Sequence, residues 1–153
     1  QSAGYVLVVV SNQSGIGRGL YTEADLAALN RRVHRYLYDE RGVEIAHFYH
    51  CPHHPTEALP EWRQPCHCRK PAPGMIEQAC AELHIDPSSS LMVGDKVSDM
   101  EAGRAAGVGR LFRVVSAAKA QTTSSRSDGK EGVVLVRGLP DVARIVSELQ
   151  APA

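Results

Sequence analysis

Short apolar runs alternate with stretches of helical periodicity along this sequence of 153 residues. The first run, residues 5–10, is uninterrupted, which is typical of a strand buried on both faces of a parallel sheet. Similar runs predict four further strands, and segments with apolar residues every three or four positions predict helices between them. These strands are 44–49, 90–93, 111–115 and 133–136, and the shorter helices are 75–83, 98–106 and 140–149.

The longest predicted helix lies between Thr22 and Gly42. Thr22 is a candidate N-cap because Asp25 follows three residues later, and a glycine such as Gly42 commonly ends a helix. Apolar residues at spacings of three and four mark one face of this helix, as in a helix that packs against a core. That face consists of Leu26, Leu29, Val33 and Leu37.

The alternation of strands and helices predicts an α/β fold with a doubly wound, mainly parallel sheet in one domain that spans residues 1–153. In such a sheet, ligands bind beyond the carboxyl ends of the strands. Polar residues stand at three such ends: Ser11 and Asn12, then Arg69 and Lys70, then Asp95 and Asp99. Cations suit an anionic group and carboxylates suit a divalent cation, so the sequence predicts a magnesium-assisted phosphate site.

Two tight pairs of metal-ligating residues precede the basic pair, as Cys51-Pro-His53 and Cys66-His-Cys68. Three thiolates and one imidazole can close a tetrahedral zinc site, and four protein ligands leave no position for an activated water. We therefore expect a structural zinc ion that positions Arg69 and Lys70. His54 and His67 are spare candidates that we expect to be solvated loop residues, and Cys80 lies on an apolar helix face.

Two disulfides are the alternative use of four cysteines, but Cys66 and Cys68 are too close in sequence to bridge each other comfortably. The chain shows no apolar signal segment and no run of membrane-spanning length, so we expect a reducing, cytoplasmic setting. Seventeen basic residues balance seventeen acidic ones, which argues against nucleic-acid or membrane partners. We expect a monomer, with a mobile loop at residues 116–132.

Three features resemble motifs of the haloacid dehalogenase superfamily. They are a strand that ends in Ser-Asn, Lys70 before a helix, and Gly94-Asp95 with Asp99 four residues later. More narrowly, the sequence is similar to the heptose bisphosphate phosphatases in its zinc-containing, histidinol-phosphatase-like branch. The segments that carry this resemblance are 11–19, 51–55, 66–71 and 94–96. The resemblance implies a fold without a large cap domain and magnesium-dependent removal of the 7-phosphate of D-glycero-D-manno-heptose 1,7-bisphosphate, a sugar precursor of lipopolysaccharide, through an aspartyl-phosphate.

The same resemblance implies a role for each matching residue. Ser11 and Lys70 would stabilise the transferring phosphoryl group, and Asp95 would bind Mg²⁺, with Asp99 behind it and not in direct contact with the ion. The substrate would also contact Asn12, Gln13, Ser14, Arg69 and Lys96, while Zn²⁺ would be held by Cys51, His53, Cys66 and Cys68.

Enzymes of this superfamily begin with a strand that ends in Asp-x-Asp, whose first carboxylate attacks phosphorus, and this sequence contains no such motif. We expect the missing strand and helix to precede these residues, or to come from another chain, and the chain taken literally to be inactive. Because the missing strand is the central one, we also expect unpaired edges at the gap, for example along residues 5–10. Two other functions stay open: a phosphatase for histidinol phosphate or another sugar phosphate, and a non-catalytic, zinc-stabilised module that binds phosphorylated ligands.

Overall fold

The computed structural model describes residues 1–115 and 132–150. For residues 149 and 150 it describes the backbone only. The predicted loop at 116–132 therefore lies outside the described residues, apart from Gly132. The strands are β1 (Val8–Asn12), β2 (His47–Cys51), β3 (Leu91–Gly94), β4 (Arg110–Val114) and β5 (Val133–Val136). The helices are α1 (Ser14–Gly17), α2 (Glu23–Arg41), α3 (Gly74–Leu83), α4 (Val97–Ala105) and α5 (Leu139–Gln150), with 3₁₀ turns at Pro60–Trp62 and Pro87–Ser89.

Every strand pair in the described residues is parallel, which confirms the predicted α/β class. The strands form two groups, as expected where a strand between them is missing. β1 pairs with β2, whereas β3, β4 and β5 form a three-stranded sheet in that order. Within the described part of the chain, no backbone ladder joins β1 to β3.

Strand boundaries differ from the sequence prediction on the side where the site forms. β1 begins at Val8 rather than residue 5 and continues through Ser11 and Asn12, and its residues are half-buried rather than buried on both faces. β2 likewise begins at His47 and ends at Cys51, so that the first cysteine of the predicted metal site belongs to a strand. The polar ends of both strands are thus held by the β1–β2 ladder.

Three apolar clusters form the core. The first joins α3 and α4 to the larger sheet and includes Met92, Met100 and Leu111, with the half-buried Cys80 packed against it. The second fixes α3 on β2 through Tyr49, Cys51, Met75 and Ala79. The third packs α5 on β4 and β5 through Phe112, Val136, Val142 and Val146. No helix in these described segments is long and apolar enough to cross a membrane.

Helix α2 begins and ends where the sequence predicts. Thr22 and Asp25 form a capping box, and Gly42 ends the helix in the left-handed conformation at φ 62°. The predicted packing face is wrong in part, because Leu26 is buried whereas Leu29 and Val33 are 55% and 38% exposed as whole residues. Leu37, at the far end of this face, is half-buried.

Candidate functional site

The Lys70 side chain lies between the carboxyl end of β1 and the start of α4. Its Nζ atom donates to the Val10 carbonyl at 2.7 Å and pairs with Asp99 Oδ1 at 2.8 Å. Both side chains are largely buried, at 11% and 7% exposure. A buried ammonium requires such partners, because desolvation without pairing is costly.

The backbone explains why the Val10 carbonyl is available to a side chain. Successive residues of a parallel strand direct their N–H and C=O groups to opposite sides. Gln13 N–H donates to the Cys51 carbonyl of β2, so the peptide groups of Val10 and Asn12 point away from that strand. Lys70 Nζ donates to the Val10 carbonyl on this outer side of β1.

Asn12 fixes the main chain of Lys70. Its Nδ2 donates to the Lys70 carbonyl and its Oδ1 accepts the Lys70 N–H, both at 3.0 Å. This pair of hydrogen bonds ties the loop that carries the lysine to the end of β1. The position of the ammonium group is therefore fixed both by the hydrogen bonds of the Lys70 backbone and by the contacts of Nζ itself.

Asp99 lies in the first turn of α4, directly behind the end of β3. A Cβ on Gly94 would lie 2.6 Å from Asp99 Cγ, so only glycine permits this approach. Asp99 Oδ2 accepts the Lys96 N–H at 3.0 Å, which leaves both carboxylate oxygens engaged. Asp95 and Lys96 are exposed on the loop between β3 and α4, where Asp95 can meet a solvated ligand.

Ser11 and Gln13 lie beside each other at the end of β1, and Ser14 begins the short helix α1. Gln13 Nε2 donates to Ser11 Oγ at 3.2 Å, and the hydroxyl of Tyr21 donates to Gln13 Oε1 at 2.5 Å. Tyr21 was not among the predicted site residues. It lies eight residues after Gln13 and belongs to no ligand or phosphate motif, so no local signal could have identified it.

The predicted zinc ligands come together in one group. The ligand atoms of Cys51, His53, Cys66 and Cys68 all lie within 4.8 Å of one another. The Sγ atoms of Cys51 and Cys66 are 3.4 Å apart, and His53 Nδ1 is 3.4 Å from Cys68 Sγ. Separations of this size suit a tetrahedral ion with Zn–S bonds of about 2.3 Å.

The chemistry of these four donors fits Zn²⁺. All described cysteines are free thiols, so the disulfide alternative is not realised in them. Burial, followed by hydrogen bonds from Cys68 and Cys66, raises the pKa of the Cys51 thiol. Adjacent thiolates repel one another and need a cation to coexist in a buried position.

The other two histidines of this loop have different contacts. His54 Nδ1 accepts the Glu57 N–H at 2.9 Å, and His67 Nε2 meets Glu77 Oε2 at 2.5 Å. Neither belongs to the four-ligand group.

The metal-ligating loop also holds Arg69. Its Nη1 donates to the His53 carbonyl at 3.1 Å, and the His53 ring packs against Trp62 with ring centres 5.6 Å apart. A Cβ on Gly17 would lie 2.9 Å from Trp62 Cβ, so α1 also contacts this loop closely. Residues 51–70 thus contain both the four candidate zinc ligands and the two cations, Arg69 and Lys70.

Comparisons with known proteins identify relatives of this chain. Residues 67–125 match the profile of the HAD-hydrolase-like family. The chain is 40% identical over 143 residues to the D-glycero-alpha-D-manno-heptose-1,7-bisphosphate 7-phosphatase of Photorhabdus laumondii, covering 94% of this chain and 74% of that protein. It is 42% identical over 150 residues to the corresponding beta-named phosphatase of Escherichia coli K12, covering 98% and 76%.

Two solved structures share the fold. One is the D,D-heptose 1,7-bisphosphate phosphatase of B. bronchiseptica complexed with magnesium and phosphate, with 29% identity, a TM-score of 0.78, and coverage of 97% of this chain and 77% of that one. The other is a HAD-like phosphatase from Mesorhizobium loti, with 32% identity, a TM-score of 0.79, and coverage of 97% and 68%. On the sequence identity and its coverage, this chain belongs to the D-glycero-D-manno-heptose-1,7-bisphosphate 7-phosphatase family of HAD-like phosphatases.

Proposed function

We propose that this chain contributes the phosphate- and metal-binding residues of a Mg²⁺-dependent phosphatase that removes the 7-phosphate of D-glycero-D-manno-heptose 1,7-bisphosphate. The observation that carries the proposal is the Lys70 ammonium, held between the Val10 carbonyl and Asp99 at the end of β1. Its backbone is fixed by Asn12, so the charge is positioned before substrate binds. Preorganised charge of this kind stabilises phosphoryl transfer.

The other polar residues have complementary roles. Ser11 donates its hydroxyl proton to the transferring phosphoryl group, and Lys70 neutralises the phosphoryl oxygens. Asn12, Gln13 and Ser14 line the sugar, while Arg69 binds the second phosphate or the sugar. The hydrogen bond from Arg69 to the His53 carbonyl supports this assignment, because it limits the positions that the guanidinium can reach. Lys96 follows Asp95 on the exposed loop and contacts metal-bound substrate.

Asp95 is the candidate ligand of Mg²⁺. This ion commonly binds through one or two carboxylates, with waters and substrate phosphate oxygens completing its coordination. An exposed aspartate at the carboxyl end of β3 fits that donor set. When bound, Mg²⁺ would neutralise phosphate charge and orient the phosphoryl group. Asp99 would not contact the ion directly, since both of its carboxylate oxygens are already engaged by Lys70 and Lys96.

Zn²⁺ at Cys51, His53, Cys66 and Cys68 has a structural role in this proposal. The closeness of the four donor atoms supports a closed site without an open coordination position. Its effect on catalysis is indirect, through the position of Arg69 and Lys70. Displacement of a positioning group by about 1 Å can reduce the rate on the order of a hundredfold.

The attacking aspartate implied by the family is not among these 153 residues. The proposed aspartyl-phosphate therefore forms on a carboxylate outside the given sequence, while Ser11 and Lys70 hold the phosphoryl group. A non-catalytic module that binds phosphorylated ligands remains the second candidate function, because the given sequence contains no Asp-x-Asp. Histidinol phosphate and other sugar phosphates are competing substrates in the test below.

The test measures phosphate release from the heptose bisphosphate by the protein as it exists in its own cells. The intact mass of the purified protein is compared first with the 16.6 kDa of the given sequence. We expect a heavier protein that releases the 7-phosphate only with Mg²⁺ present. Lys70→Met should lower kcat/KM by a factor of a hundred or more, because a charge that stabilises the transition state is lost.

Arg144→Met is the matched control, because this exposed cation lies on α5, where it pairs with Glu148. It should release phosphate at the wild-type rate. A protein of 16.6 kDa that binds phosphate but releases none would contradict the enzymatic proposal and support the binding module. Faster release from histidinol phosphate would contradict the proposed substrate.

A further inference from the structure

Tyr21 ends a chain of side-chain hydrogen bonds that begins at Ser11. Its hydroxyl donates to Gln13 Oε1 at 2.5 Å, and Gln13 Nε2 donates in turn to Ser11 Oγ at 3.2 Å. All three side chains are partly buried, which limits competition from water. Tyr21 has no other role in the site described above.

Gln13 links the two hydroxyl groups. Its amide presents one acceptor and one donor group, whereas the phenol and the serine hydroxyl can each donate or accept. In this arrangement Oε1 accepts from the phenol and Nε2 donates to Ser11 Oγ, so the serine proton is left to donate to another oxygen. Loss of the phenol hydroxyl would free the Gln13 side chain to turn, and Oε1 could then accept the Ser11 proton.

The phenol is fixed over Gly15. A Cβ on Gly15 would lie 2.6 Å from Tyr21 Cζ and 2.8 Å from its hydroxyl oxygen, so the ring lies directly on the glycine. Gly19, at φ 70°, adopts the left-handed conformation in the turn that brings residue 21 back toward residue 13. The tyrosine is therefore held by backbone geometry and not only by its hydrogen bond.

We propose that Tyr21 is a positioning residue that holds the Gln13 side chain beside Ser11 Oγ and thereby keeps the Ser11 hydroxyl in place for a phosphoryl oxygen. This inference rests on the proposed function for the role of Ser11. It adds a residue eight positions beyond the strand-end motif, and it requires no contact between Tyr21 and substrate.

The test is a double-mutant cycle on binding of inorganic phosphate in the presence of Mg²⁺, measured by calorimetry on the full protein. Tyr21→Phe removes only the hydroxyl and keeps the ring on Gly15. We expect phosphate to bind about three- to tenfold more weakly, the effect of losing one net hydrogen bond. In the Ser11→Ala background the same change should have no further effect, since the hydroxyl group that Gln13 contacts is absent.

A second measurement follows the side-chain amide of Gln13 by NMR without any ligand. Both signals of that amide should shift in Tyr21→Phe, and Gly15→Ala should shift them similarly because an added methyl group displaces the ring. Tyr38→Phe is the matched control, since this exposed tyrosine lies on α2 and its ring stacks on His34. It should change neither the signals nor phosphate binding.

Unchanged Gln13 signals in Tyr21→Phe would overturn the inference, and so would an equal loss of phosphate affinity with and without Ser11. A wild-type protein that binds no phosphate, while the Gln13 signals still shift, would contradict the proposed function and leave the positioning by Tyr21 supported. The two failures are therefore distinguishable.

Discussion

Tyr49 joins β2 to α3 through a single polar contact at the end of a buried ring. Its hydroxyl donates to Glu82 Oε2 at 2.7 Å, and only 4% of the residue is exposed. Burial, and then the hydrogen bond and charge of Glu82, raise the pKa of Tyr49 to about 12 from 10.0. The protonated phenol is therefore favoured in the folded state.

This shift predicts a loss of stability in alkaline solution. Below pH 10 the phenol is protonated in both the folded and unfolded states, so its contribution is fully present. Between pH 10 and 12 the unfolded chain releases the proton more readily, and the contribution disappears as pH rises through the folded-state pKa. Urea unfolding at several pH values should show a steeper decline for wild type than for Tyr49→Phe. Parallel declines would contradict this assignment.

At the scale of single residues, the sequence predicts residue types better than contacts. Lys70 and the four zinc-ligand candidates stand in short patterns whose chemistry is evident from spacing. The Val10 carbonyl as the partner of Lys70 could not be predicted, because it depends on which strand edge is paired. Tyr21 was missed for a related reason: a hydrogen bond formed through a glycine turn leaves no periodic signal.

Helix α2 shows the same difference between pattern and burial at the scale of an element. Its capping box and its left-handed glycine end are local features, and the sequence predicts both correctly. Its apolar stripe is also visible in the sequence, but the structure buries Leu26 and leaves Leu29 more than half exposed. Periodicity identifies a face without stating how much of that face another element covers.

Alanine substitutions within this helix should separate the two positions. Leu26→Ala should lower the free energy of unfolding by about 2–5 kcal/mol, as expected for a truncated core leucine. Leu29→Ala, one turn later, should change it by about 0.5 kcal/mol or less, because its side chain is already largely solvated. Chemical denaturation measures both variants. A large loss at Leu29 would mean that another surface covers this stripe in solution.

The loop that carries Cys51, His53, Cys66 and Cys68 should depend on its metal. We expect roughly one zinc ion per purified chain, and Cys66→Ser should remove most of it, because three donors hold Zn²⁺ far less well than a closed set of four. Cys80→Ser is the matched control, since this thiol packs against the core outside the ligand group. Metal analysis that finds equal zinc in wild type and Cys66→Ser would rule out this ligand set.

At the scale of the whole molecule, the sequence predicts the α/β class, and its resemblance to the superfamily predicts the unpaired edge of the first strand, but periodicity alone does not give the strand order. Parallel strands have similar apolar sequences whether or not they are adjacent in the sheet, so the apolar pattern does not predict their order. In the described residues β1 pairs with β2, β3 pairs with β4, and Lys70 spans from the outer edge of β1 to Asp99. The candidate site therefore lies where the two groups of strands approach each other through side chains.

Amide hydrogen exchange should reveal this division directly. Gln13 N–H bonds to β2, so the amide of Ser11 also faces that strand, whereas the amides of Val10 and Asn12 face the outer edge. In a protein of these 153 residues alone, we expect Ser11 to exchange at least about tenfold more slowly than Val10, because an unpaired amide opens at little cost. β4 provides an internal control: it pairs on both sides, so Leu111 and Phe112 should be protected alike. In the heavier protein that we expect, an additional strand on this edge would protect Val10 and Ser11 equally and join the two groups of strands into one continuous sheet. Equal protection in the 153-residue protein would contradict the unpaired edge.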